Sequence, residues 1–105
     1  MIEQDLTKKA EIEVVNQLRQ VGWNVQNWDP EAEGAKDIEA EAAGKKILVQ
    51  VQTARAPNNP PDISRPEMEN LMVRAQRRNA EAYQARVRMD QNANRVGNIG
   101  WKKLI

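Results

Sequence analysis

The chain has 105 residues, with 16 Lys and Arg against 15 Asp and Glu, and contains neither Cys nor His. A chain of this length supports one hydrophobic core, so one domain over residues 1–105 is expected. The missing residue types exclude thiol nucleophiles, Cys/His zinc sites, imidazole acid–base chemistry and every triad built on histidine.

Catalysis would fall to carboxylates, Lys, Arg, Tyr83, Ser64 and two threonines, an inventory that favours oxygen-ligated Mg²⁺ or Mn²⁺. The net charge of +1 hides an asymmetry. Residues 1–50 hold 6 Lys and Arg against 10 Asp and Glu, whereas residues 51–105 hold 10 against 5. An acidic half joined to an arginine-rich half suits a metal site beside a phosphate-binding face, although two ordinary solvated surfaces would give the same totals. No apolar run approaches the roughly 18 residues that span a bilayer, and MIEQDLTKKAE lacks the apolar centre of a signal peptide. A soluble, cytoplasmic protein with no membrane partner is expected.

In chain order, Asp5 to Val21 reads as a helix, with Asp5 or Thr7 as N-cap and Gly22 as its stop. Leu6, Ala10, Val14, Leu18 and Val21 fall on one arc that should face the core, and Glu11 lies at its edge. Trp23 to Trp28 reads as a first strand, followed by the loop DPEAEGA. Asp37 to Ala42 alternates, with Asp37, Glu39 and Glu41 on one face and Ile38, Ala40 and Ala42 on the other. Ala43-Gly44 is a tight turn into KKILVQVQTA, which is apolar on both faces as far as Val49, the pattern of a central strand covered on both sides.

That strand then carries Gln50 and Gln52 on one side, where it should run out towards a sheet edge or cleft. Each buried amide costs about 1–3 kcal/mol unless it is paired. A proline-rich loop leads to Ser64, and Ser64 with Glu67 makes a capping box for a second helix. Met68, Leu71, Met72, Ala75, Asn79 and Ala82 form its inner stripe, with Arg74, Arg77 and Arg78 off it. Tyr83 to Met89 alternates, placing Tyr83, Ala85, Val87 and Met89 inward and Gln84, Arg86 and Arg88 outward. Asn92 to Asn94 turns into a last strand over residues 96–105. The simplest packing of this αβββαββ order is a mixed five-stranded α/β sheet flanked by two helices.

This order, with an inward Glu on the first helix, an Asp opening the second strand after GAK, and paired polar residues at i and i+2 of the third strand, resembles the PD-(D/E)XK nuclease superfamily. That is the restriction-endonuclease-like fold, which includes archaeal Holliday-junction resolvases. The resemblance implies that Glu11 matches the family's helix glutamate, Asp37 its metal-binding aspartate, Gln50 its (D/E) position and Gln52 its lysine position. It further implies Mg²⁺ held by Glu11, Asp37, Gln50 and the Val51 carbonyl, with Glu39 as an accessory carboxylate. Gln52 departs most from the pattern, because a neutral amide brings no positive charge to a transition state, a loss of about 10²–10³ in rate. Lys36, Arg55, Arg74 and Arg78 are the candidates for a displaced cation.

Three readings follow: a metal-dependent, structure-directed DNA endonuclease; a catalytically silent nuclease-fold module that binds DNA or a protein partner in an excision, restriction or repair system; and a small structural α/β protein. For the first two, Arg55, Arg65, Arg74, Arg77, Arg78, Arg86, Arg88 and Arg95 supply phosphate contacts, for which arginine is better suited than lysine. Recognition would be by backbone and shape, and a homodimer or a partner subunit would suit a two-stranded substrate.

Overall fold

An eleven-residue strand paired on both edges organises the molecule. The computed structural model describes residues 3–28 and 37–105, with side chains from residue 6 onward in the first stretch. The elements run α1 (Glu3–Gln20), β1 (Asn24–Asn27), β2 (Ile38–Ala42), β3 (Lys45–Arg55), α2 (Arg65–Arg77), β4 (Glu81–Met89) and β5 (Gly100–Lys103). The strands lie side by side in sequence order, with β3 and β4 parallel and every other pair antiparallel. The architecture is therefore the mixed five-stranded sheet with two helices that the sequence pattern predicts.

Alternation along β3 divides the core in two. On one face Ile47, Val49 and Val51 meet Leu6, Ala10, Val14, Val15 and Leu18 of α1, together with Ile38, Ala40, Ala85, Val87 and Met89. On the other face Leu48 meets Ile63, Leu71, Ala75 and Ala82 beneath α2. Leu48 and Leu71 are both fully buried, and a leucine removed from water in this way contributes about 1.5–3 kcal/mol.

The helix ends are specified locally. Gly22, at φ +99°, closes α1, with its N–H donating to Arg19 and that of Trp23 to the Leu18 carbonyl, the paired bonds of a Schellman motif. Val21 consequently leaves the helical arc and is 67% exposed, not in the core, and Val15 takes a core position instead. The start of α1 at Glu3 puts Asp5 and Thr7 inside the helix, so neither is its N-cap.

At α2 the Ser64 hydroxyl accepts from the Glu67 N–H, the serine half of the capping box, and donates to the Glu67 carboxylate, with Pro66 in the first turn. Its other end is a second Schellman motif: Asn79, at φ +54°, donates to Gln76 and Ala80 to Ala75. Asn79 is thus the left-handed residue that stops α2, not part of its inner stripe, and Ala82 belongs to β4. Ala43 and Gly44, both at positive φ, form the two-residue β2–β3 turn. The predicted loop over residues 29–35 lies outside the described residues. Among those residues no helix is long and apolar enough to cross a membrane.

The last strand is narrower than the sequence pattern suggests, running over Gly100–Lys103 only. It is fastened by Glu81, whose carboxylate meets Lys103 at 2.9 Å and Lys45 at 3.2 Å. The hydrogen bond from Lys103, helped by those from Lys45 and Tyr83, holds Glu81 below the usual carboxylate range, and the same bond raises Lys103 above the usual lysine range. The Glu81 contribution is therefore present at neutral pH and lost as pH falls through its lowered pKa. The Lys103 contribution is present below the ordinary lysine pKa and lost as pH rises through its raised one. Thermal melts across acid pH should show Lys103→Gln with a shallower loss of stability below the carboxylate range than wild type, a small effect because both groups are partly exposed.

Candidate functional site

Four of the predicted site residues share one face of the sheet. Asp37 immediately precedes β2, Glu39 lies within it, and Gln50 and Gln52 lie on β3, all on the side covered by α2. The β2–β3 ladder ends at the Ile38–Val49 pair, so Asp37 and Gln50 stand at the open end of that pairing, the fork. On its other edge β3 keeps pairing with β4 as far as Arg55–Met89. The glutamines therefore sit at a fork on the β2 side and in mid-sheet on the β4 side, not at the end of the strand.

The acidic groups at this fork are already paired with cations. Arg74 of α2 grips Asp37 with both prongs, Nε to Oδ2 at 2.6 Å and Nη2 to Oδ1 at 2.9 Å. The side chains are 19% exposed for Asp37 and 39% for Arg74, a half-buried bidentate pair. Glu39, almost fully buried, accepts from Asn27 at 2.5 Å and faces Arg78 at 3.5 Å and Lys46 at 3.6 Å. Two carboxylates are thus met by three cationic side chains.

The glutamines answer their burial cost differently. Gln50 donates to Glu67 at 2.8 Å, and because Glu67 also holds Ser64, the amide ties the capped start of α2 to the centre of the sheet. Gln84 stands beside Gln50 in the parallel register and is only 1% exposed. It does not point outward to solvent. Its Oε1 accepts from the Ile63 N–H at 2.7 Å and its Nε2 donates to Asp62 at 3.2 Å, which pins the loop before α2. Gln52 is half-buried and has no partner among the described residues.

Glu11 does not join this group. It is 4% exposed, so it looks inward as its position on the arc suggests, but on the α1 side of the sheet, where Trp28 Nε1 donates to it at 3.2 Å. Val51 lies in the β3–β4 ladder opposite Ala85, with its side chain in the α1-side core. Among the described residues no three acidic side chains come together as a metal cluster. With Asp37 engaged by Arg74 and Glu11 across the sheet, the predicted donor set does not fit a divalent cation in this arrangement.

Of the candidate displaced cations, Arg74 and Arg78 reach the fork, Arg55 stands at the far end of β3, and Lys36 lies outside the described residues. Arg86 was missed as a neighbour of the site. It is in register with Gln52 on the adjacent strand, and the signal for it was the same-face alternation of β4 set beside that of β3. Its guanidinium donates from Nε and Nη2 to the Pro60 carbonyl. Arg65 pairs with Glu69 and Arg95 with Glu13, both at the surface, and Arg77 is exposed.

The crystal structure of the Holliday junction resolvase Hjc from Archaeoglobus fulgidus, an archaeal hyperthermophile, superposes with a TM-score of 0.66 over 93% of this chain and 72% of that one. The fold is restriction-endonuclease-like. Sequence identity between the two is 18%. No family model matches the chain, and no curated protein matches it by sequence.

Because the Asp37–Arg74 pair is half-buried, it should be worth more than a surface ion pair and less than a fully buried one, about 1–2 kcal/mol. Urea unfolding of Asp37→Asn, Arg74→Gln and the double variant forms a cycle that should return a coupling of that size.

Proposed function

We propose that this chain is a nuclease-fold module that binds DNA along its phosphate backbone and does not cut it. The observation that carries this reading is the Arg74 fork on both oxygens of Asp37. A carboxylate that serves a divalent ion must present free oxygens in a site of surplus negative charge. Here the guanidinium holds both oxygens, Arg78 and Lys46 offset Glu39, and Gln50 and Gln52 add no charge. The fork is balanced from within the protein, and an amide stands where a lysine would have supported charge on phosphate. DNA is the partner favoured by the arginine-rich second half of the chain and by the likeness to a protein described as a Holliday junction resolvase. Branched DNA is accordingly the first ligand class to test.

The competing reading is metal-dependent phosphodiester hydrolysis, with Glu11, Asp37, Gln50 and the Val51 carbonyl as the Mg²⁺ or Mn²⁺ donors and Arg55, Arg74 or Arg78 in place of the lysine. Its support is the partial exposure of Arg74, which leaves the guanidinium room to swing away from Asp37. The seat of Glu11 on the opposite face counts against it.

Incubation of the protein with labelled linear, flapped and four-way-junction DNA separates the two. The proposal expects binding that survives chelation of divalent ions, no cleavage with Mg²⁺ or Mn²⁺, and no loss of affinity in Asp37→Ala, which frees Arg74 for phosphate. Metal-dependent cutting abolished by Asp37→Ala would replace it with the nuclease reading.

A further inference from the structure

Beyond the fork, the α2-side face of β3 and β4 continues into a polar groove of about 440 Å³, lined by Asn59, Pro60, Arg86, Arg88, Val96, Gly97, Asn98 and Gly100. Its position follows from register: Gln52 stands beside Arg86, and Ala54 beside Arg88. Arg86 and Arg88 occupy alternate positions of β4, about 6.6 Å apart along the strand and on one face. No carboxylate lines the groove, and its size is that of a small-ligand site, typically about 300–1,000 Å³.

The two arginines differ in how they are held. Arg86 is anchored to the Pro60 carbonyl, with Asp62 at 3.9 Å behind it. Arg88 Nε is shielded from solvent and has no hydrogen-bond partner among the described residues. The side chain as a whole is half-buried, lines the groove and makes no ion pair among the described residues, so the outer end of its guanidinium is the part that can take an anionic oxygen. Beside the arginines the groove is flanked by glycine-rich backbone: an added side chain at Gly97 would meet nothing within 4 Å, and the Val96 N–H to Arg88 carbonyl bond at 2.7 Å holds that segment against β4. Asn59 and Asn98 add amides that both donate and accept.

We infer that this groove is a phosphodiester-binding channel, seating one strand of a nucleic acid with successive phosphates on Arg88 and Arg86. The inference rests on the DNA-binding reading and deepens it, because it moves the contact surface from the α2 arginines to β4. The ion pairs already made by Arg74 and Arg78 support that move: their charge is committed to Asp37 and Glu39, whereas Arg88 makes no ion pair among the described residues. One strand fits the groove better than a duplex, since its two cations lie in a single file along β4 and not across a broad surface.

The test is fluorescence anisotropy of the full chain with a short thymidine oligonucleotide and with a four-way junction, read across a salt series. Arg88→Gln should weaken binding about tenfold and reduce the salt slope by about 1, uniformly across sequences. Lys9→Gln, on the exposed side of α1, should leave both unchanged, and Arg77→Gln reads the alternative path over α2. Arg88 Nε–H in the isotope-labelled wild-type protein should shift on titration with the oligonucleotide, a readout that does not depend on any variant folding. Wild-type affinity in Arg88→Gln, an unmoved Nε–H and a loss confined to Arg77→Gln would overturn the channel and leave the DNA-binding reading in place, with the strand over α2. Absence of DNA binding by wild type at low salt would remove that reading and the channel with it.

Discussion

β3 is covered on both faces from Ile47 to Val51, so the polar side chain it buries there, Gln50, must be answered inside the molecule. That constraint accounts for much of what surrounds it. Leu48, two residues before Gln50 on the same face, is buried against α2, and Gln50 meets the same requirement by bonding the carboxylate that caps that helix. Gln84, its neighbour in the parallel register, does the same for the loop before α2. Two amides thus place the start of α2, and the helix so placed brings Arg74 and Arg78 over the fork between β2 and β3. An unpaired buried amide and an unpaired half-buried carboxylate are avoided by one arrangement.

The same arrangement changes what the fork can do. Acidic groups at a strand divergence are a natural cation site, and on this fold α2 has supplied cations covalently attached to the chain. A guanidinium gripping both oxygens of Asp37 neutralises the aspartate without the geometry a hydrolytic water would need. The second charged region, on β4, faces a groove with no acid in its lining, where Arg86 is held by the Pro60 loop and Arg88 makes no ion pair among the described residues. Charge satisfied at the fork and left open at the groove is the contrast on which the proposed binding without cleavage rests.

Much of the fold could be read from periodicity and capping. The capping box at Ser64, the stop at Gly22 and the alternation of β4 are local signals, and the structure keeps each of them. The resemblance drew attention to Asp37 and Gln50, and the register places both next to the last β2–β3 pair. The pairings could not be read, because they depend on register between distant segments: which arginine faces Asp37, which glutamine meets Glu67, and which side of the sheet Glu11 takes are set by how α1 and α2 dock. Gln84 shows this most clearly. Its alternation puts it on the α2 side, which sequence alone treats as outward, and only the docked loop with Ile63 and Asp62 buries it. Arg86 was hidden for the same reason, being next to Gln52 only through the parallel pairing.

The account stands or falls on Asp37 being held by Arg74 and not by a metal ion. Crystals grown with Mn²⁺ and measured for anomalous scattering address that directly. The account predicts no manganese peak at the fork and an intact two-pronged contact from Arg74 to Asp37. A peak bridging Asp37 and the Val51 carbonyl, with Arg74 swung away, would contradict it.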